Sequence, residues 1–157
     1  MLTLIGNGGH AKVIRDLVRL REAASPDIFD GTLYILAIGD NKARLRESSA
    51  ILENQFATLI HPAATVSDAA TVGVGSVVMA GAVVQADVTI GKHCIINTCA
   101  SVDHDCVVGD FVHIAPGCRL CGSVTVGEGA FLGAGCIAVP GAVIAPWSHH
   151  RAGKVLA

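Results

Sequence analysis

The sequence has few aromatic residues, almost no net charge and no long apolar run, and each shortage excludes a class of protein. Aromatic residues make up 4% of the chain, so its core has to be built from small and branched aliphatic side chains. The formal net charge of −2 gives no basis for binding nucleic acid or an anionic membrane. No apolar run approaches the roughly 18 residues of a membrane helix, and the start MLTLIGNGGH lacks a signal-peptide pattern. We therefore expect a cytoplasmic protein without membrane insertion.

An apolar repeat of six residues organises the chain from Ile60 to Ile144. A first file of apolar residues recurs at every sixth position: Ile60, Val66, Val72, Val78, Val84, Ile90, Ile96, Val102, Val108, Ile114, Leu120, Val126, Leu132, Ala138 and Ile144. A second file of small residues or Val follows each stop by four positions: Ala64, Ala70, Ser76, Ala82, Val88, Cys94, Ala100, Cys106, Val112, Cys118, Val124, Ala130, Cys136 and Ala142. A period of six fits neither a helix nor a long strand, so the pattern predicts a parallel β-helix of about five coils.

The repeat also explains most of the cysteines. Four of the six belong to the second file, where packing accounts for them, and only Cys99 and Cys121 lie outside it. We expect all six to be free thiols in a reducing compartment.

Two further features of the repeat lead to predictions. Glycines follow the first file at 73, 91, 109, 127 and 133, and we predict turns with positive φ there. After Trp147 the pattern degrades, because His150 stands where an aliphatic residue is due. Residues 147–157 are therefore predicted to be a frayed last coil or a short tail.

The first fifty-odd residues predict a small α/β unit with a parallel sheet. Strands are expected at 2–5, 33–38 and 55–60, helices at 11–24 and 42–53, and a loop at 25–31. We place the domain boundary between 1–57 and 58–157. The turn Gly6-Asn7-Gly8-Gly9-His10 either presents backbone N–H groups to a phosphate or is a strand-to-helix turn without a ligand. No third glycine completes the dinucleotide fingerprint.

One segment, 97–106, carries polar residues that a β-helix does not require. Within it His104 is flanked by two carboxylates, and such a neighbour makes an imidazole more basic, as a general base needs. The alternative is a surface histidine in a turn. His93, in a Gly-Lys-His turn, is expected to be solvated. His113 lies nine residues after His104, half a coil, so it should point away within one chain and meet the same crevice only in a side-by-side oligomer.

A metal site is the competing use of these histidines. His93, His104 and His113 are spaced by eleven and nine residues, and neither number is a multiple of six. The three side chains should not converge on one ion, so no metal is expected.

Four segments resemble a known family: GNGGHAKVIRD, AIGDN, FATLIHPAA and IINTCASVDHDCVVGDFVHIAPG. They look like the sugar acetyltransferases of the sialic acid O-acetyltransferase type, which include bacterial UDP-4-amino-sugar N-acetyltransferases. The repeat itself resembles the wider left-handed β-helix acyltransferase superfamily. The resemblance implies a homotrimer with active sites between neighbouring β-helices. It also implies acetyl-CoA as the donor in that crevice and a nucleotide-sugar held by the N-terminal unit.

The resemblance further implies roles for individual residues. His104 falls on the catalytic base, and Asp105 on the carboxylate that raises its basicity. The residues that fall along the acetyl-CoA path are His113, Gly122 and Ala134. The residues that fall on positions for the sugar substrate are Gly8, Gly9, His10, Asp40 and Asn97.

The predicted reaction is acetyl transfer from acetyl-CoA to the amino group of a UDP-4-amino-sugar. His104 takes the proton, and no acyl-enzyme forms. O-acetylation of a sialic acid or related sugar hydroxyl needs the same base and donor, so it stays open. A non-catalytic or metal-binding trimeric β-helix is the alternative from another class.

Overall fold

The computed structural model describes residues 2–24 and 33–157, and its side chains are described from 2 to 21 and from 33 to 157. The loop predicted at 25–31 lies outside these residues. The N-terminal elements are β1 (Leu2–Ile5), α1 (Gly9–Ala24), β2 (Leu33–Leu36), α2 (Asn41–Ser48) and a 3₁₀ helix (Glu53–Gln55). β1 and β2 pair in parallel, and Tyr34 forms a single bridge to Phe56. Neither of the two α-helices that the structure describes is long and apolar enough to cross a bilayer.

The helix predicted at 11–24 begins two residues earlier, and the strand predicted at 33–38 ends two residues earlier. Two other predicted N-terminal elements are wrong by more. α2 ends at Ser48 rather than at 53, because Ser48 and Ser49 each donate a side-chain hydrogen bond of 2.7 Å to a carbonyl three residues earlier. Such local bonds compete with helix continuation. The strand predicted at 55–60 is divided between the bridge at Phe56 and a first β-helix strand at Leu59–Ile60.

From residue 59 to 157, all of which the structure describes, the chain forms short parallel strands of two residues each. They are β3 (Leu59–Ile60), β4 (Thr65–Val66), β5 (Thr71–Val72), β6 (Val77–Val78), β7 (Val83–Val84), β8 (Thr89–Ile90), β9 (Ile95–Ile96), β10 (Ser101–Val102), β11 (Val107–Val108), β12 (His113–Ile114), β13 (Arg119–Leu120), β14 (Thr125–Val126), β15 (Phe131–Leu132), β16 (Ile137–Ala138), β17 (Val143–Ile144), β18 (His149–His150) and β19 (Val155–Leu156). Each strand pairs with the strand one coil later, as Ser101 pairs with Arg119.

Three sheets result from this pairing. The first sheet contains β3, β6, β9, β12, β15 and β18, the second contains β4, β7, β10, β13, β16 and β19, and the third contains β5, β8, β11, β14 and β17. The predicted fold class, a small α/β unit followed by a parallel β-helix consistent with the left-handed form, is confirmed.

The two files of the repeat build the core, as predicted. From Ser76 to Ala142 the second file is at most 5% exposed, and from Val78 to Ile144 the first file is at most 4% exposed. The four cysteines of the second file are buried, and no cysteine forms a disulfide.

Positive φ angles recur at every sixth residue from Gly75 to Gly153, but not at the predicted glycines. Seven of these turn positions hold other residues: Asp87, His93, Cys99, Asp105, Phe111, Ser123 and Trp147. The glycines predicted for this role are needed for close approach instead. A Cβ at Gly73 would lie 2.5 Å from the carbonyl carbon of Gly91, and one at Gly109 would lie 2.7 Å from Glu128 N. The prediction placed the turn residue two positions too early.

The prediction of a frayed end at 147–157 is also wrong. β18 and β19 continue the first and second sheets, pairing with β15 and β16. Gly133 N donates to His150 O at 2.9 Å, and Val139 N donates to Leu156 O at 2.9 Å. These backbone hydrogen bonds between coils hold the last coil in place, although His150 replaces an aliphatic residue.

The N-terminal unit is attached to the β-helix by a buried arginine. Arg44 is 1% exposed and donates from Nε to His93 O at 2.8 Å and from Nη2 to Phe111 O at 2.7 Å. It also donates to Asn41 Oδ1 at 2.9 Å, and Asn41 Nδ2 donates to Gly129 O at 2.9 Å. His93, Phe111 and Gly129 are equivalent turn residues of successive coils, so α2 is docked on one corner of the β-helix.

This docking overturns the expectation of a solvated His93. Its side chain is buried, and its ring stacks on Phe111 with centroids 5.1 Å apart and meets Phe56 edge-on at 4.6 Å. Burial, and then the charge of Arg44, lowers the pKa of His93. The sequence of the turn does not predict this burial, because the residues that cover His93 belong to α2 and to Phe56.

Candidate functional site

His104 lies on the corner between the second and third sheets, after β10. Its Nδ1 donates to Asp105 Oδ2 at 2.7 Å, and the two side chains are 60% and 59% exposed. The hydrogen bond to Asp105, with added attraction from Asp103, raises the pKa of His104. Because Nδ1 holds the proton for Asp105, Nε2 is the atom left to accept one. The pair is therefore an oriented, solvent-facing base.

Gly122 stands one coil beyond His104 and supports its ring. A Cβ at Gly122 would lie 2.5 Å from His104 Nε2 and 2.6 Å from Cε1. The absence of a side chain at 122 thus leaves room for the imidazole. The resemblance placed Gly122 near the acetyl-CoA path, and the structure adds this contact with the predicted base.

We expect Gly122→Ala to lower kcat/KM for the predicted acetyl transfer by about 10- to 100-fold, because an added methyl displaces the ring of the predicted base, His104. The melting temperature should change by no more than about 2 °C, since an exposed side chain can move aside at little cost. Gly109→Ala is the contrasting variant, because its Cβ would meet backbone in the next coil. Steady-state kinetics and thermal melts together check the prediction. Equal loss of melting temperature in both variants would contradict it.

We expect Asp105→Asn to move the acidic limb of the kcat/KM profile to lower pH. The hydrogen bond to the Asp105 carboxylate is the main cause of the raised pKa of His104, and Asn offers only a weaker, uncharged acceptor, so the imidazole stays neutral to lower pH. Because Nε2 becomes less basic, the pH-independent value of kcat/KM should also fall by about tenfold. Asn tolerates the left-handed backbone of this turn, where φ is 59°.

Asp87→Asn is the matched control for that measurement. Asp87 occupies the equivalent turn one coil earlier, with a φ of 60° and an exposed side chain. Its pH–rate profile should coincide with that of the unmodified protein. An acidic limb that stays in place for Asp105→Asn would remove Asp105 from its assigned role.

A second group of predicted residues meets at the carbonyl of Gly39. His113, on β12, is 9% exposed and donates from Nδ1 to Gly39 O at 3.2 Å. Asn97 Nδ2 donates to His113 Nε2 at 3.1 Å, and Asn97 Oδ1 accepts from Thr98 N at 2.8 Å. These bonds assign the Nδ1–H tautomer of His113 and the orientation of the Asn97 amide.

His10 and His113 are both uncharged at neutral pH. Burial, reinforced by the positive charge of Arg44, lowers the pKa of each to about 4. Their ring centroids are 6.3 Å apart. Nε2 of His10 is buried and has no hydrogen-bond partner among the described residues. This nitrogen of the uncharged imidazole is therefore available to a polar ligand.

Two open cavities adjoin Gly39. The loop cavity, of about 440 Å³, is lined by residues 6–10 and 37–39 and so includes the predicted Gly8, Gly9 and His10. The aromatic cavity, of about 370 Å³, is lined by Gly39, Asp40, Asn41, Lys42, Gly129, Phe131, Trp147, Ser148 and His149. Asp40 Oδ1 also caps α2, accepting from Ala43 N at 2.7 Å.

Within one chain most of the predicted site residues form two separate groups, and Ala134 belongs to neither. His104, Asp105 and Gly122 share one corner of the β-helix, whereas His113 and Asn97 lie at the first sheet. Ala134 is exposed in the turn between β15 and β16, and its carbonyl accepts from Gly153 N at 2.9 Å. In residues 2–24 and 33–157, no group of three His, Cys, Asp or Glu side chains forms a site for a metal ion.

Four residues near these groups were not predicted as site residues from the sequence: Arg44, Phe131, Trp147 and His149. A signal was present for two of them, because Phe131 and His149 follow His113 at the eighteen-residue spacing of one sheet position. Arg44 had no such signal, since charged residues surround it in α2.

Known proteins resemble this chain over its repeat and over its whole fold. Residues 105–138 match the family described as Bacterial transferase hexapeptide (six repeats). The GDP-perosamine N-acetyltransferase of Escherichia coli O157:H7 is 31% identical over 106 residues, covering 66% of this chain and 48% of that protein. The UDP-N-acetylbacillosamine N-acetyltransferase of Bacillus subtilis (strain 168) is 39% identical over 103 residues, covering 46% and 48%. The chain thus spans about half the length of the curated relatives it matches.

A solved structure matches nearly the whole chain. PerB from Caulobacter crescentus, in complex with CoA and GDP-perosamine, superimposes with a TM-score of 0.91 and 35% identity. The match covers 99% of this chain and 88% of that one.

Proposed function

Because this chain belongs to the hexapeptide family of bacterial transferases, we propose that it moves an acetyl group from acetyl-CoA to the amino group of a nucleotide-linked sugar. The observation that carries the proposal is the His104–Asp105 pair, oriented at 2.7 Å with Nε2 facing solvent. The names of the relatives support an amine as the acceptor, against the sugar hydroxyl left open above. The CoA bound to PerB supports the donor.

The proposed chemistry is direct transfer. The sugar nitrogen attacks the thioester carbonyl carbon, His104 Nε2 takes a proton from that nitrogen, and the C–S bond breaks as the C–N bond forms. The proton then neutralises the departing CoA thiolate. The imidazolium that forms in between is stabilised by the Asp105 carboxylate. No cysteine is required, which agrees with the packing role of the buried thiols.

The proposed site is completed by a second copy of the chain. His104 and the His113–Asn97 pair lie on different sides of one β-helix, so one copy alone does not bring the base to the second group. Val107 and Val143 project from the third sheet beside the His104 corner and are 48% and 74% exposed. A homotrimer would cover such apolar positions and create the crevice between neighbours.

We assign the other predicted residues within this arrangement. The acceptor is held by Gly8, Gly9, His10, Asp40 and Asn97, and acetyl-CoA runs past His113, Gly122 and Ala134. The division into a nucleotide-sugar unit at 1–57 and an acetyl-CoA domain at 58–157 belongs to the same proposal. A cytoplasmic location, where thiols stay reduced, belongs to the same proposal.

Release of CoA from acetyl-CoA tests the function directly. GDP-perosamine, a UDP-4-amino-sugar and a sialic acid are each supplied as the acceptor, and the products are identified by mass spectrometry and loss of the primary amine. We expect saturable release with at least one nucleotide-linked amino sugar, and the better acceptor distinguishes GDP from UDP. No release with any acceptor, together with no binding of acetyl-CoA by calorimetry, would favour a non-catalytic β-helix.

A further inference from the structure

The outward-facing positions of the first sheet change character where the N-terminal unit ends. Leu59, Val77 and Ile95 are buried in the core that they share with α1. At the same spacing, the next three positions are His113, Phe131 and His149. His113 is buried, Phe131 is half-buried and His149 is exposed, so an aromatic strip emerges from beneath the N-terminal unit.

The rings of this strip are ordered by mutual contacts. Phe131 and His149 stack with centroids 4.6 Å apart and planes 18° from parallel. His113 meets Phe131 edge-on at 5.1 Å and 89°. Trp147 has a φ of 55°, and its ring covers Gly129, where a Cβ would collide with it. Phe131, Trp147 and His149 together line one side of the aromatic cavity.

The opposite side of the cavity is polar and belongs to the N-terminal unit. It consists of Gly39 to Lys42, and the Lys42 side chain is exposed. Gly39 lines the loop cavity as well, so the two cavities adjoin at this residue. Of the three residues assigned to acetyl-CoA, Gly122 and Ala134 lie on other corners of the β-helix. The third, His113, contacts Phe131 but does not line this cavity, so we assign the cavity to the acceptor.

We propose that the aromatic cavity binds the nucleobase of the acceptor, with its diphosphate passing Gly39 towards the glycine loop. This assignment rests on the proposed function, which supplies a nucleotide-sugar as the ligand. Aromatic faces stack on any base and so give affinity without depending on its hydrogen-bonding edge. Lys42 adds a positive charge next to the path of the diphosphate. His113, at the buried end of the strip, leads towards the reacting end of the sugar.

Trp147 provides a direct assay, because it is the only tryptophan in the chain. Its fluorescence is titrated separately with GDP, UDP, inorganic pyrophosphate and CoA. We expect saturable quenching by at least one nucleoside diphosphate and none by pyrophosphate. Quenching by CoA alone would assign the cavity to the donor and overturn the proposal. No quenching by any of these compounds would also overturn it.

Phe131→Leu tests whether stacking is the source of binding. The change removes a ring but keeps Trp147 as the reporter, and it should raise the Kd for the quenching nucleotide by about tenfold. Val155→Ala, on the second sheet and 65% exposed, is the control and should leave the Kd unchanged. An unchanged Kd for Phe131→Leu would overturn the proposal. Acetyl transfer is measured in parallel, so quenching without transfer refutes the catalytic function and leaves the base-binding site standing.

Discussion

Replacing His104 with alanine is expected to lower kcat/KM for acetyl transfer by about 10²- to 10⁴-fold, the usual contribution of a positioned general base. The loss follows because no other described side chain at this corner combines a raised pKa with a free ring nitrogen beside Gly122. The remaining rate should come from holding the two substrates together. Stopped assays over a range of acetyl-CoA concentrations measure the effect.

Two controls separate loss of the base from general damage. His104 is 60% exposed, so its removal should leave the melting temperature and the binding of acetyl-CoA nearly unchanged. His61→Asn changes a histidine in another turn and should retain full activity. If His104→Ala keeps activity within about threefold of the parent protein, the base is another group and the mechanism is wrong.

Replacing Arg44 with methionine should cause the largest loss of stability, about 3 kcal/mol in the free energy of unfolding. Methionine fills similar space but leaves the buried carbonyl oxygens of His93 and Phe111 without their donor. Burial lowers the pKa of Arg44 only to about 10, so the wild-type side chain is charged at neutral pH. Within the described residues its hydrogen-bond acceptors are carbonyl and amide oxygens, not carboxylates.

Arg46→Met is the matched control, because Arg46 is exposed on the same short helix. Its free energy of unfolding should change by less than about 0.5 kcal/mol. Urea denaturation is followed by far-UV circular dichroism and by Trp147 fluorescence, since a repeat domain need not unfold in one step. Equal midpoints for the two variants would show that the buried hydrogen bonds make no net contribution.

The parts of the structure that depend on near neighbours or on the repeat were predictable from the sequence. The six-residue period identified the core, including the four buried cysteines, because every coil imposes the same inward positions. His104 and Asp105 are adjacent, so their contact needed no knowledge of the fold. The position of Gly122 beneath His104 follows once one coil is known to take eighteen residues.

The parts that depend on docking between distant elements were not predictable. Arg44 and His93 look like ordinary surface residues in their own segments, and only the placement of α2 on the corner buries them. The turn residues were assigned two positions too early because half of the true positions carry side chains such as Asp105 and Trp147. These residues adopt left-handed backbone because the stacked coils enforce it, and glycine content alone gives no sign of that.

The attachment of α2 to three successive coils also determines where the protein tolerates changes in length. The acceptors at His93, Phe111 and Gly129 are spaced by one coil each, about 4.8 Å along the axis. Adding or deleting a whole coil after Ala130 would alter the aromatic cavity but keep every acceptor of α2 in place. The same change between Leu59 and His93 would shift all the acceptors by one coil relative to the helix. Insertions of eighteen residues should therefore be accepted on one side of the docking corner and rejected on the other.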